Sequence, residues 1–355
     1  MVHPGDFLLT NSMSFGRPYI TNIEGCIHDG WLMISPYAGV FDQSYLYYVL
    51  SSAFAHKQFC DKVAGAVVQN LNSDKVADSI VPLPPLAEQK RIVAKIEELL
   101  PKVEEYGKAQ EALDKLNEEL PERLKKSILQ EAIEGRLVPQ DPNDEPASVL
   151  LDKIRKEKAK LVKEGKLKKK DLEEIPISED EIPFKIPESW EWVRLGEIST
   201  YSHTKKKINS SKAAPNIWGL DLEDIEKGGK LLYIKSVGER KAIGDKTCFA
   251  AGDILYSKLR PYLLKILIAP QDGICTPEII PFTCFGSIRK EYIVNLLKSV
   301  YVDSYINSAT FGIKMPRVAT DTMTSLVVPL PPLAEQKRII AKIEQLINEI
   351  DKLKV

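Results

Sequence analysis

Several absences narrow the possibilities before any motif is considered. The 355 residues include only 5 cysteines; Cys26, Cys60, Cys248, Cys275 and Cys284 are odd in number, widely spread and without a CxxC pair. Neither a disulfide framework nor a zinc site follows from them, and they are expected to be buried thiols. Four histidines, none paired at ligand spacing, give no metal centre and no Ser-His-Asp arrangement. No GxxxxGK[ST] and no GxGxxG after a strand is present, which removes the usual phosphate-cradling and dinucleotide-binding loops. An Asn-Pro-Pro-aromatic tetrapeptide of the adenine-methylating kind is also missing. No apolar run reaches the roughly 18 residues that cross a bilayer, and no signal peptide opens the chain, so a cytoplasmic protein with no membrane role is expected. Charge is balanced, 49 Lys+Arg against 50 Asp+Glu. Any attraction to a polyanion must therefore come from local segregation of charge.

What the chain does contain is a repeat. Val81 to Leu100 returns at Val328 to Ile347 with 17 of 20 residues identical, at an offset of 247. The same offset, without insertion, relates Gly5-Asp6-Phe7-Leu8 to Gly252-Asp253-Ile254-Leu255, Tyr45 to Tyr292, Gly65 to Gly312 and Asp74 to Asp321. Residues 1–80 thus repeat 248–327, and the first copy lacks the counterpart of about sixty residues that open the second near Ile186. Such a partial domain is expected to leave apolar surface and strand edges exposed.

After each Pro-rich turn the repeated segment reads as an amphipathic helix. In the second copy Ile339, Ile343, Leu346 and Ile350 follow a 4-3-4 spacing, and in the first Ile92, Ile96, Leu99 and Val103 keep the same rhythm. Two such stripes in one chain predict mutual pairing, with Pro101 and Pro121 ending or kinking the first helix. The expected divisions are 1–80, the rear part of a first domain; 81–140, a first spacer helix; 141–185, a basic helix (Ala147 to Lys170) and an acidic, loose linker; 186–327, a complete second domain; and 328–355, a second spacer helix. The second domain shows strand-like runs at Ile254–Tyr256, Leu263–Ile268 and Ile279–Phe282 and one helical run from Arg289 to about Ile306. The fold class expected is α+β, two related domains separated by long helices that pair as an antiparallel coiled coil.

Cationic clusters mixed with aromatic and amide groups point to phosphate and base contacts: Lys205, Lys206 and Lys207, then Lys258 and Arg260 in KLRPY, then Lys314 and Arg317. At matching positions the first copy carries Asn11, Gln69 and Asn70, with Arg17 nearby. The two domains would then present different donors and acceptors and read different base sequences. Glu88-Gln89-Lys90 and Glu335-Gln336-Lys337 match the ExK of metal-dependent nucleases, but a glutamate in a first helical turn is expected there on capping grounds. No catalytic residue and no metal ligand is assigned.

Ile186-Pro187-Glu188-Ser189-Trp190-Glu191-Trp192-Val193-Arg194-Leu195-Gly196-Glu197-Ile198 resembles the opening of a target-recognition domain from the specificity subunit of Type I restriction-modification systems. Leu83 to Ile92 and Leu330 to Ile339 resemble that family's spacer-helix entries, Gly252 to Tyr262 its central segment, and Gly135 to Pro142 its first-helix exit. The resemblance implies a non-catalytic reader of a bipartite, asymmetric site in double-stranded DNA. Two modification methyltransferase subunits would bind it, and restriction/translocase subunits would join them. S-adenosylmethionine, ATP and Mg would belong to those partners, not to this chain. The alternative is a truncated or silent subunit, mainly a helical docking platform.

Overall fold

A computed structural model describes all residues except 13–15, 35–38, 64–69, 204, 242 and 353–355. The chain forms two compact units, Met1–Leu116 and Asn117–Val355.

The first unit opens with β1 (Phe7–Thr10), β2 (Pro18–Ile20) and β3 (Trp31–Ile34), an antiparallel sheet in the order β2-β1-β3. Three helices follow: α1 (Gln43–Ser51), α2 (Ala53–Val63) and α3 (Ser73–Ala77). Asp42 caps α1 by accepting from the Tyr45 amide, and Asn72 caps α3 through Lys75. Phe7 and Leu9 on one sheet face pack on Leu46, Leu50, Ala55, Phe59 and Leu71 to make the core. α4 (Leu86–Ile133) then runs 48 residues without interruption, ending in the second unit. The expectation that a proline would end this helix is corrected here. Pro101 and Pro121 each remove one backbone donor, and neither ends the helix.

The second unit continues with α5 (Ala147–Lys163), β4 (Glu191–Arg194), α6 (Leu195–Ile198), β5 (Lys207–Asn209), β6 (Trp218–Leu220), α7 (Val237–Arg240), β7 (Asp245–Phe249) and β8 (Ile254–Ser257). It ends with β9 (Ile266–Ile268), β10 (Gly273–Cys275), β11 (Ile279–Phe282), α8 (Lys290–Leu297), α9 (Val300–Ser308), α10 (Thr320–Ser325), β12 (Val327–Leu330) and α11 (Leu333–Lys352). Its sheets have the orders β5-β7-β10-β6, β9-β8-β11 and β12-β4. The fold is α+β. The helical run foreseen from Arg289 breaks into α8 and α9, because Ser299 caps a new helix through the Val302 amide. The basic helix stops at Lys163 instead of Lys170, where Gly165 takes a left-handed φ of 72°.

The repeat is visible in three dimensions. β2-β1-β3 corresponds to β9-β8-β11, and α1, α2, α3 to α8, α9, α10. Gly5 and Gly252, both at positive φ (93° and 81°), turn the chain into β1 and β8. The alignment is not free of insertions, however. Phe7 pairs with Ile20 and Ile34, whereas Ile254 pairs with Ile268 and Phe282. The flanking strands of the second copy therefore sit one residue later, and the offset returns to 247 by α1 and α8.

β8 is buried on both faces: Ile254 and Tyr256 face the main core, Leu255 a second cluster with Trp218, Phe249 and Leu267. β5, β6 and most of β7, which build that second layer, have no counterpart among residues 1–80. Accordingly Tyr19 and Met33, which flank Leu8, are 45% and 52% exposed, while Leu267 and Pro281, which flank Leu255, are buried.

Within the second unit α11 runs antiparallel to the last turns of α4. Lys125 pairs with Asp351 at 2.9 Å, Leu129 and Ile133 share a core with Ile339 and Ile343, and Gln140 reaches Glu335. The acidic segment expected to be loose is tied down. Arg155 of α5 binds Glu174 at 2.6 Å, and the buried Arg194 binds Glu181 at 2.9 Å and the Pro176 carbonyl at 3.0 Å. The Arg194 guanidinium, together with hydrogen bonds from the Ser178 amide and hydroxyl, holds the Glu181 carboxyl down at about 2. Part of the basic helix thus spends its charge on its own linker.

Candidate nucleic-acid interface

In the second unit the loop after β8 and the loop before Val318 are stitched together by main-chain bonds. The Arg260 amide donates to the Pro316 carbonyl (2.7 Å), the Val318 amide to Lys258 (3.1 Å), and Leu259 bridges Arg317. Pro261 starts a short 3-10 turn, and Arg260 and Leu264, both left-handed at φ 49°, bracket it. Non-glycine residues rarely adopt that region, so the surrounding bonds must hold the turn in shape.

This arrangement brings Lys258, Arg260, Lys314 and Arg317 onto adjoining loops. Arg260 and Lys314 are exposed, and Lys258 is half-buried. Arg317 is already engaged: its guanidinium donates to both oxygens of Glu278 (3.0–3.3 Å) and to the Met315 carbonyl. Lys205, Lys206 and Lys207 lie elsewhere. Lys205 senses Asp253, which precedes β8, whereas the KLRPY loop follows it. Lys205 is also half-buried, its ammonium donates to the Thr200 carbonyl, and burial pushes its pKa down to about 8. Lys206 and Lys207 are exposed.

The first unit repeats the construction with neutral groups. Ser12 bridges Asn70, and the Leu71 amide donates to the Asn11 carbonyl at 2.7 Å, so Asn11 and Asn70 share a site equivalent to that of Lys258 and Arg317. The Asn11 carboxamide donates to the Asp29 carbonyl (2.7 Å); Arg17 and Asn70 are exposed. Gln69 lies outside the described residues.

Of the spacer positions, Ile339, Ile343 and Ile350 are buried and Leu346 half-buried. Ile92 and Ile96 are half-buried, while Leu99 and Val103 are 42% and 62% exposed. Cysteine burial is uneven: Cys275 is buried and Cys26 exposed, contrary to the expectation of buried thiols. Burial pushes the Cys275 and Cys284 thiols up to about 12.

Sequence reasoning missed a set of buried locks within the repeated segment. Gln89 accepts from the Asp42 amide at 2.7 Å and donates to the Val40 and Pro84 carbonyls, each at 2.9 Å. Gln336 accepts from the Arg289 amide at 2.9 Å and donates to Pro331 at 3.0 Å. Tyr45 and Tyr292 donate to Pro82 and Pro329 in the same way. Identity at an offset of 247 was the available signal. Each lock fastens the start of a domain helix to the Pro-rich entry of a long helix.

The glutamates of the two ExK matches differ. Glu335 is buried and accepts from the Trp190 indole at 2.8 Å and from the Gln140 carboxamide, while burial raises its pKa. Beside it Arg338 pairs with Asp144 at 2.7 Å. Glu88 is exposed. Glu335→Ala is expected to cost about 1–3 kcal/mol, because the indole N–H and the amide lose their acceptor, whereas Glu88→Ala should stay within about 0.5 kcal/mol. Thermal melting of the two variants distinguishes them; equal shifts would remove the structural role given to Glu335. Among the described residues no group of three His, Cys, Asp or Glu is placed to hold a metal ion, and no helix is long and apolar enough to cross a membrane.

Comparison with known proteins agrees on one family. A profile of the Type I restriction modification DNA specificity domain matches residues 2–115 and 187–354. The chain is 31% identical over 322 residues to the Type I restriction enzyme EcoAI specificity subunit of Escherichia coli, covering 86% of this chain and 49% of that protein. It is 36% identical over 244 residues to the EcoEI specificity subunit, also of Escherichia coli, covering 65% of this chain and 40% of the relative. The chain thus spans about half the length of these curated relatives or less. A crystal structure of an HsdS subunit from Thermoanaerobacter tengcongensis shares the fold, with a TM-score of 0.52 and 19% identity over 99% of this chain and 75% of that one.

Proposed function

This chain belongs to the Type I restriction-modification DNA specificity family, and from that premise we propose that it is a non-catalytic subunit reading a bipartite, asymmetric site in double-stranded DNA. The observation that carries this is the repeated pair of stitched loops, cationic in one copy and amide-rich in the other. Phosphate contacts position a protein on DNA, and base-edge contacts specify the sequence. Exposed cations meet phosphates and an exposed asparagine carboxamide reads adenine, so Arg260 and Lys314 in one domain and Asn70 in the other equip the two for different half-sites. Two modification methyltransferase subunits would dock on the helices, with restriction/translocase subunits joining them, and S-adenosylmethionine, ATP and Mg would act on those partners in the cytoplasm. A helical platform without site recognition is less well supported, because the main-chain bonds that join the two loops of the second copy recur at Asn11, Ser12, Asn70 and Leu71 of the first.

Alanine at Lys206, Lys207, Arg260 or Lys314 is expected to weaken duplex binding and flatten the plot of log K against log salt by about 0.9 per lost phosphate contact. Lys205→Ala should leave the slope unchanged, since its ammonium is bound to the Thr200 carbonyl. The measurement is a salt titration of a fluorescent duplex with the full chain. Slopes unaltered in all four variants would remove these cations from the DNA. Mapping modified adenines in the host genome with and without the gene tests the wider reading, and an unchanged map would end it.

A further inference from the structure

We propose that the loop 311–317 carries an apolar wedge, Ile313 with Phe311 beside it, that inserts between stacked base pairs of the half-site read by the second domain; this rests on the DNA-reading function above. Phe311 and Arg317 exchange main-chain hydrogen bonds of 3.0 and 2.9 Å, which closes a short hairpin with Gly312 at a φ of 91°. Arg317 anchors the base of the hairpin to Glu278 and its tip to the Met315 carbonyl. Ile313 stands 101% exposed at that tip, with Phe311 at 57% and Met315 at 46%. The adjoining turn, fastened by the Arg260–Pro316 bond, adds Tyr262 at 45%.

A single exposed isoleucine is ordinary. A braced projection bearing several large apolar side chains is a contact surface. Charge identifies the contact. Lys314 sits between Ile313 and Met315, Arg260 is next to the hairpin, and the neighbouring carboxylate of Glu278 is engaged by Arg317. An apolar protein surface would bury those two cations without partners, whereas DNA supplies phosphates beside the bases. Proteins that kink DNA insert Phe, Leu, Ile or Met between base steps while Arg and Lys grip the flanks. Pyrimidine–purine steps unstack most easily, so the half-site should contain TA or CA/TG at the wedge. By sequence, Ala64 and Ala66 stand where Phe311 and Ile313 do, so the device belongs to one half-site only.

The test uses the full chain, alone and with co-expressed methyltransferase subunits, against a pool of duplexes with a randomised core. The selected duplex is then remade with 2-aminopurine at successive positions. Binding by the parent is expected to raise fluorescence at one step. Ile313→Ala should abolish that rise and lower affinity for the selected duplex by about tenfold, the scale of one mismatched base pair, leaving unselected DNA and the salt slope unchanged. An Ile313→Ala protein with parental fluorescence and affinity overturns the wedge; if Lys314→Ala still loses slope, the DNA reading stands. Weaker retention of the methyltransferase subunits as the sole effect of Ile313→Ala makes the tip a protein contact and likewise overturns the proposal. A parent that selects no sequence in either form defeats both the wedge and the function beneath it.

Discussion

Replacing Asp224 with alanine is expected to destabilise the second unit by about 3 kcal/mol, because it strands the Arg240 guanidinium in the interior. The Arg240 side chain is 6% exposed and that of Asp224 1%. Their ion pair joins the turn after β6 to α7, and Arg240 also donates to the Gly219 carbonyl. Asp221 at 3.7 Å and the exposed Glu223 at 3.4 Å are poorer substitutes. Asp224 further accepts from the Asp221 amide at 2.8 Å, a bond alanine cannot replace. In a unit of this size the loss corresponds to roughly 6–12 °C in Tm. Pairing Asp224→Ala with Arg240→Met should recover part of the loss, since the uncompensated charge leaves with the arginine. If the single variant melts like the parent, the pair is not holding α7 in place.

Gln336→Leu is expected to cost about 2–4 kcal/mol although leucine nearly matches glutamine in volume. The substitution leaves the buried Pro331 carbonyl and the part-buried Arg289 amide without their partner, a buried group costing about 1–3 kcal/mol when stranded. Gln89→Leu should damage the first unit in the same way, through Asp42, Val40 and Pro84. Exposed glutamine offers the control: Gln345→Leu, on the solvent side of α11, should stay within about 0.5 kcal/mol. Denaturant unfolding read through midpoint at constant m is the measurement. Comparable midpoints for Gln336→Leu and Gln345→Leu would show that the amide lock does not fasten α8 to the entry of α11.

The repeat carried most of what could be read without coordinates. Offset identity located two equivalent modules, and hydrophobic spacing marked α4 and α11. β8 and β11 were legible because their apolar runs are short and bounded by turn residues. β4 to β7, β10 and β12 were not, since strands of three to five residues that carry polar members (β4, β5, β7) or a glycine or proline (β6, β10, β12) are defined by their neighbours rather than by their own pattern. The basic residues were legible as types, not as roles. Lys205 and Arg317 look like Lys206 and Arg260 in one dimension, and only packing puts the former pair against the Thr200 carbonyl and Glu278. The paired glutamates of the ExK matches likewise differ only because Trp190 and Gln140 meet one of them.

The amino-acid order alone determined that this protein is a duplicated module with long amphipathic helices, because identity and periodicity are local properties of a chain. The tertiary structure decided which cations remain available, which glutamine and glutamate side chains became buried fastenings, and that an apolar hairpin tip projects beside Arg260. Most of those outcomes depend on groups 39 to 195 residues apart meeting in space, where burial and hydrogen-bond satisfaction set their energies, and no local pattern encodes which groups will meet.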